Sequence, residues 1–218
     1  MRSWLALLLA LGVMAPAKAA DSAADLAQAL QQKYDTVRDF SADFTHTYQG
    51  GVLRKQITER GLVLIKKPGK QRWEYAAPEK KLFVSDGVKI YSYMPEDRQV
   101  IVGTVPTGEG AGAPILFLAG KGNIVRDFTS TIGEVPPGSP PGSQALKLVP
   151  RTPQPDYDWL LLVVDRQSLA LRGLVTMDAQ GGKSSITFAN LKENVNPADK
   201  EFAFNIPRGV DVINESSR

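Results

Sequence analysis

Apolar residues near the N-terminus recur at helical spacing and then give way to alternation. The helical stripe consists of Leu26, Leu30, Tyr34 and Val37. Intervals of three and four residues predict an amphipathic helix over residues 22–38. Ser22, with Asp25 three residues later, supplies a start of the capping-box type. From residue 40 onward apolar and polar side chains alternate, which is the period of a half-buried strand.

Short apolar runs separated by glycine, proline and Asp-Gly turns fill most of the remaining chain. The predicted strands after the one that starts at residue 40 are 52–65, 72–75, 82–84, 88–93, 100–105, 124–132, 145–149, 159–164, 170–177, 184–191 and 202–206. About eleven strands with short connections predict an antiparallel meander. The Pro/Gly/Ser-rich stretch 134–144 lies between two such runs, so we interpret it as a solvated hairpin loop within one domain.

The stretch Gly108–Asn123, "GEGAGAPILFLAGKGN", interrupts the strand pattern. Pro114 suits the first turn of a helix and Gly120 suits its end. Between them Ile115, Leu116, Phe117 and Leu118 cover every side of a short helix. Because a surface helix buries only one stripe, this one must be covered on several sides. It is either a small core helix or an apolar plug that closes a cavity on glycine hinges.

The N-terminus has the order of a secretory signal peptide. Arg2 precedes the apolar run Trp4–Met14, and Ala17 and Ala19 supply the small residues of a cleavage site. We therefore expect residues 1–19 to be a signal peptide and residues 20–218 to form one soluble, exported domain. The chain contains no cysteine, so this domain must be held together by its core.

Charge argues against a nucleic-acid partner. The stretch "KKPGKQRWEY", residues 66–75, places four cations around a Pro-Gly turn and beside two rings, as in a single-strand binding surface. Loss of residues 1–19 would remove Arg2 and Lys18, however, and would lower the formal net charge from +3 to +1. Nucleic-acid-binding domains usually carry a broad basic face. We therefore expect no nucleic-acid partner.

Residues suited to catalysis or metal binding are scarce. His46 is the single histidine, and the sequence has neither a cysteine nor a Gly-x-Ser-x-Gly motif around a nucleophile. Without cysteine, a zinc site would have to depend on carboxylates. We therefore expect no enzyme activity, no cofactor and no metal site.

Apolar surface, in contrast, is abundant. Residues 61–65, "GLVLI", are apolar on both faces of a strand, whereas a half-solvated antiparallel sheet should alternate. Large rings continue at odd-numbered positions of the next strands: Trp73, Tyr75, Phe83, Tyr91 and Tyr93. We expect one sheet face rich in rings. That face is either an ordinary core beneath the N-terminal helix or a concave ligand surface.

Motifs along the mature chain resemble, in order, those of the LolA-type outer-membrane lipoprotein carriers. They are Phe40–Phe44, Lys66–Pro68, Arg72–Tyr75, Pro78, Val84–Gly87, Tyr91–Pro95, Gln99–Val100, Pro114–Leu118 and Phe204–Ile213. Each motif is weak alone, but the ordered set is specific. The resemblance implies a mainly β fold with α: an unclosed antiparallel β-barrel of about eleven strands, with an N-terminal helix and a short helical lid over an apolar cavity.

The resemblance also implies a function, partners and site residues. Such a chaperone carries acylated outer-membrane lipoproteins through the periplasm, from an inner-membrane lipoprotein-releasing ABC transporter to the outer membrane or a LolB-type receptor, and we expect it to be a monomer. Ile115, Leu116, Phe117 and Leu118 would form the lid, and Lys67 stands where the family usually has an arginine that latches the lid. The candidate cavity residues are Phe44, Leu64, Trp73, Tyr75, Phe83, Tyr91 and Tyr93.

Two other functions remain open at this stage. The same fold could hold another lipid or an apolar peptide in the periplasm. It also serves as the sensor domain of envelope-stress regulators, in which a second domain would be expected to follow.

Overall fold

The computed structural model describes residues 22–50, 56–105, 117–120, 122–178 and 180–215. These residues form one twelve-stranded sheet, two α-helices and a 3-10 helix. The predicted signal peptide lies outside the described residues. The helices are α1 Ala23–Thr36 and α2 Ile124–Asp127, and the 3-10 helix is Asp199–Phe202. The strands are β1 Asp39–Gln49, β2 Gln56–Lys66, β3 Lys70–Ala77, β4 Lys81–Asp86, β5 Lys89–Met94, β6 Gln99–Thr104, β7 Phe128–Gly133, β8 Ser143–Pro150, β9 Trp159–Asp165, β10 Leu171–Met177, β11 Lys183–Glu193 and β12 Asp211–Asn214.

The N-terminal helix forms for the reasons that its sequence indicates. The Ser22 side chain accepts a hydrogen bond from the backbone N–H of Asp25 and donates one to the Asp25 carboxylate, so the first turn is capped. Leu26, Ala27 and Leu30 are buried against the sheet. The predicted helix is thus confirmed, with its end at Thr36.

The sheet is an unclosed, mostly antiparallel meander, as expected. Its strand order is β12-β6-β5-β4-β3-β2-β1-β11-β10-β9-β8-β7, and only the contact of β12 with β6 is parallel. The long strands β1, β2 and β11 lie at its centre. We call the face that carries Phe44 and Trp73 the inner face. It shares one apolar core with α1.

Two predicted strands are wrong in part. Residues 124–127 form α2, because the Asn123 side chain accepts a hydrogen bond from the N–H of Arg126 at 2.8 Å and caps a helical turn. Only residues 128–133 continue as a strand. Residues 202–206 are not a strand, since Phe202 ends the 3-10 helix and is buried. The last strand is instead β12.

The C-terminal segment covers part of the outer face. Lys66 and Lys70 bind Asp199 at 2.6 and 2.8 Å, and these two cations lower the pKa of Asp199 to about 2. Farther along, Phe204 packs on Tyr91 and Tyr93, with ring centroids 5.4 and 5.7 Å apart. The chain then adds β12 to the sheet edge. The outer face of the sheet near β4 and β5 is therefore partly covered.

Gly61 is required where β1, β2 and β3 approach most closely. A Cβ at this position would lie 1.9 Å from the carbonyl oxygen of Glu74 and 2.9 Å from the Phe44 ring. The register between β2 and β3 shifts at the same point, between Arg60 and Gly61. A glycine here lets the strands approach without a clash.

We predict that Gly61→Ala lowers the free energy of unfolding by about 1–3 kcal/mol, because the added methyl group overpacks this contact. The matched control is Gly50→Ala, whose Cβ would meet, among the described residues, a single ring carbon of Tyr48 at 3.8 Å. Urea unfolding of both variants measures the difference. Equal stability of the two variants would contradict the prediction.

Candidate ligand cavity

Four predicted cavity residues come together on the inner face. In the strand register Trp73 lies opposite Phe83, and Gly61 lies opposite both Phe44 and Tyr75. Ring centroids are 5.1 Å apart for Phe44 and Trp73, 4.8 Å for Phe44 and Tyr75, and 5.4 Å for Tyr75 and Phe83. Such edge-to-face pairs add about 0.5–1.5 kcal/mol each beyond their buried area. Their contact with a ligand stays a prediction.

The structure places the other three candidates on the outer face. Leu64 lies opposite Arg72, and Tyr91 and Tyr93 lie opposite Val84 and Leu82. Side chains directly opposite in an antiparallel pair share a face. Because Phe83 lies opposite Ser92, odd numbers do not stay on one face from β4 to β5. The assignment of Leu64, Tyr91 and Tyr93 to the inner cavity was therefore wrong.

Residues 117–120, which we call the lid segment, lie between α1 and the sheet. Phe117 and Leu118 are 1% and 2% exposed, as the apolar pattern requires. The Phe117 ring stacks on Tyr34, 5.2 Å between centroids, and meets the edge of Phe128. The other two predicted lid residues, Ile115 and Leu116, lie outside the described residues.

Tyr34 holds the lid segment to α1. Its hydroxyl donates a hydrogen bond to the carbonyl of Phe117 and accepts one from the N–H of Gly120 at 2.9 Å. Burial raises the pKa of Tyr34, so the hydroxyl keeps its proton at neutral pH. A third hydrogen bond joins the lid segment to the turn after β2, from the N–H of Gly69 to the carbonyl of Ala119 at 2.7 Å. The prediction treated Tyr34 only as part of the helix stripe, although a buried tyrosine hydroxyl usually has a partner.

Lys67, the predicted latch, contacts Tyr34 and makes no hydrogen bond to the described lid segment, residues 117–120. In the part of the chain that the structure describes, its ammonium donates to the carbonyl of Tyr34 and lies 3.0 Å from the centroid of the Tyr34 ring. Its carbon stem lies beneath Gly120, where a Cβ would come within 3.0 Å. Burial lowers the pKa of Lys67 to about 8, partly opposed by Asp35. Lys67 therefore supports the residue that binds the lid segment.

Little space is left inside the protein in this closed state. A cavity of about 60 Å³ remains between α1, the lid segment and the strands that follow. Its lining includes Leu30, Tyr34, Phe40, Phe117, Leu162 and Leu171. In this measure one water molecule needs about 10–15 Å³, so the space holds about five waters, which is too small for a long acyl chain. A long apolar ligand can enter only if the protein's own side chains move.

The four cations of "KKPGKQRWEY" already have partners within the protein. Lys66 and Lys70 bind Asp199, Arg72 binds Glu74, and Lys67 contacts Tyr34. The first three lie on the outer face, away from the rings of Trp73 and Tyr75. Cations and rings that point to opposite faces do not form a single-strand binding groove. The stretch is the predicted strand-turn-strand.

The described residues contain no group of three His, Asp or Glu side chains that could hold a metal ion. Among them there is also no helix with the length and apolar character needed to cross a membrane. His46 lies half-buried on the inner face, 2.9 Å from the hydroxyl of Ser184.

Comparisons with known proteins agree with this architecture. The family model described as "Outer membrane lipoprotein carrier protein LolA" matches residues 35–205. An outer-membrane lipoprotein carrier protein of Chromohalobacter salexigens is 32% identical over 190 residues, 87% of each chain. The one from Bordetella avium is 31% identical over 206 residues, 94% of each chain. The solved structure of an uncharacterized conserved protein from Thermus thermophilus shares the fold, with a TM-score of 0.54 at 14% identity, over 87% of this chain and 99% of that one.

We predict that Tyr34→Phe strengthens the binding of an apolar fluorescent probe by about 5- to 150-fold. The variant keeps the stacked ring but removes both hydrogen bonds of the hydroxyl, so the Phe117 carbonyl and the Gly120 N–H keep only their bond to each other at 3.1 Å. We expect this loss to cost about 1–3 kcal/mol in the closed state. Probe titration measures the dissociation constant. Tyr48→Phe, at a half-exposed position, is the control and should leave it unchanged. Unchanged or weaker binding by Tyr34→Phe would contradict the assignment.

Probe binding should weaken as the pH rises from about 8 to about 10. A hydrated lysine keeps its proton up to about pH 10.4, whereas buried Lys67 loses its proton near pH 8. In this interval the open state binds more protons than the closed state, so a higher pH favours closure. The Lys67→Met variant keeps the carbon stem without the titrating group and should show a flat profile. A wild-type affinity that rises over this interval would contradict the prediction.

Proposed function

The chain belongs to the LolA family of outer membrane lipoprotein carrier proteins, and from this premise we propose that it carries acylated lipoproteins across the periplasm. In this proposal an inner-membrane ABC transporter releases the lipoprotein, the carrier covers its acyl chains, and the outer membrane or a receptor lipoprotein accepts them. The chain acts as a monomer and needs no cofactor, metal or enzymatic step. The supporting observation is a ring-lined inner face that a short, hydrogen-bonded lid segment closes.

The energetics favour a cavity that closes when empty. Exposure of one long acyl chain to water costs on the order of 10 kcal/mol, at about 0.8 kcal/mol per methylene. An empty apolar groove would expose comparable surface, and this protein instead fills it with Phe117, Leu118 and its own rings. Cargo binding exchanges these internal contacts for contacts with the acyl chains. The net affinity is therefore small enough for the next acceptor to compete.

Opening requires the lid segment to leave the turn that carries Lys67. A Cβ at Gly120 would lie 3.3 Å from the Cβ of Lys67, which is near the spacing of about 3.5–4.5 Å in disulfides. Because the chain contains no cysteine, the double variant Lys67→Cys/Gly120→Cys would hold a single, defined disulfide. This disulfide should lock the lid segment in its closed position.

We predict that the oxidised double variant fails to retain an acylated peptide through gel filtration, whereas the same protein after reduction retains it. The reduced form controls for the strain of a cysteine at Gly120, where φ is +91°. The peptide without its acyl chains should not be retained by either form. Equal retention of the acylated peptide in both redox states would show that cargo does not enter here, and no retention by wild type would overturn the proposed function.

A further inference from the structure

A group of polar side chains lies on the inner face at the end of β2 opposite the lid segment. We call His46, Glu59, Tyr75, Lys81 and Ser184 the polar cluster. In the strand register His46 lies opposite Glu59, and Tyr75 lies opposite Lys81. Glu59 is six residues from Ile65 along β2, or about 20 Å at ~3.3 Å per residue. The inner face thus has an apolar end beneath the lid segment and a polar end.

The members of the polar cluster contact one another. The ammonium of Lys81 binds the carboxylate of Glu59 at 2.7 Å, and a ring nitrogen of His46 lies 3.6 Å from the same carboxylate. The other ring nitrogen of His46 lies 2.9 Å from the hydroxyl of Ser184. Burial lowers the pKa of His46, against the opposing effect of Glu59, so the imidazole is neutral near pH 7.

Charged groups at this position are not explained by stability alone. The Glu59 side chain is only 13% exposed, and partly buried ion pairs gain little over apolar residues of similar size. The neighbouring inner positions on the same strands are Gly61, Phe44 and Phe83, so the apolar pattern stops here abruptly. A polar end of an apolar groove suits a ligand that is itself polar at one end.

Tyr75 joins the two ends. Its ring packs against Phe44 and Phe83. Within the described part of the chain, its hydroxyl reaches a ring nitrogen of His46 at 3.5 Å, the outer limit of a hydrogen bond. A hydroxyl held so loosely can donate a shorter bond to a carbonyl oxygen of a ligand. Lys81 adds a cationic donor, and Glu59 adds an acceptor for an amide N–H.

We propose that the polar cluster binds the ester- and amide-bearing part of an acylated peptide, at the point where the acyl chains join the polypeptide. The rings of Phe44, Trp73 and Phe83 contact the acyl chains, and Tyr75 and Lys81 donate hydrogen bonds to the ester and amide carbonyls. This inference rests on the proposed function and deepens it. It adds a subsite that distinguishes a lipoprotein from a simple hydrocarbon.

The test compares two ligands of equal chain length. One is a synthetic diacylglyceryl-cysteine peptide, and the other is an alkylpyrene that contains neither ester nor amide. Tyr75→Phe should lower the affinity for the lipopeptide by about 2- to 12-fold, which is the range for one neutral hydrogen bond. The same variant should leave the affinity for the alkylpyrene unchanged. Lys81→Met, which keeps most of the carbon stem, should lower only the affinity for the lipopeptide, by roughly 10-fold. Tyr91→Phe, on the outer face, is the matched control and should affect neither ligand.

The possible outcomes separate this inference from the proposed function. A loss of affinity that is confined to the lipopeptide supports the polar subsite. Equal losses for both ligands, or no loss for either, would overturn the subsite while the carrier function stands. Melting temperatures show whether a variant is folded, and Tyr75→Phe preserves the ring packing if Lys81→Met does not fold. A wild-type protein that binds neither ligand would overturn the carrier function and this inference with it.

Discussion

The whole structure depends on one constraint, which is that the apolar concave face of an unclosed sheet must be covered. In a small closed barrel the inward-facing side chains of the strands fill the interior. Here the edge strands β7 and β12 do not meet, so the sheet stays open. The protein covers the face with α1 and the lid segment, and fills the remaining space with Phe44, Trp73 and Tyr75. Between α1, the lid segment and the sheet, a cavity of about 60 Å³ stays empty. Any ligand of the inner face must therefore compete with the protein itself.

This competition makes weak contacts important. The helix α1 packs on the sheet through buried apolar side chains. The lid segment is also held by a few hydrogen bonds, which involve Tyr34 and Gly69. Each bond is worth about 0.5–1.5 kcal/mol, which is small against the burial of an acyl chain. Lys67 strengthens the packing of Tyr34 but keeps a charge in a partly buried place. In the proposed carrier, a latch of this kind would close the empty protein without preventing release.

The two faces of the sheet have separate tasks. On the outer face the C-terminal segment binds Lys66 and Lys70 through Asp199 and packs Phe204 on Tyr91 and Tyr93. These contacts pair the two lysines and cover the two tyrosine rings, so these side chains do not form an exposed binding surface. The inner face is left with the rings beneath the lid segment and the polar cluster at its far end. In our proposal this gradient from apolar to polar matches the two ends of an acylated peptide.

The sequence by itself determined the local elements, because caps, turns and alternation depend on neighbours in the chain. Ser22 with Asp25, Asp86 with Gly87 and the run after residue 40 were sufficient for α1, the β4–β5 hairpin and the meander. The ordered motifs also indicated the family. The face of a strand and the partner of a buried hydroxyl depend on register and on contacts far apart in the chain. For that reason only the tertiary structure separated Tyr91 and Tyr93 from Trp73, gave Tyr34 rather than Lys67 the bonds to the lid segment, and brought His46, Glu59 and Lys81 together.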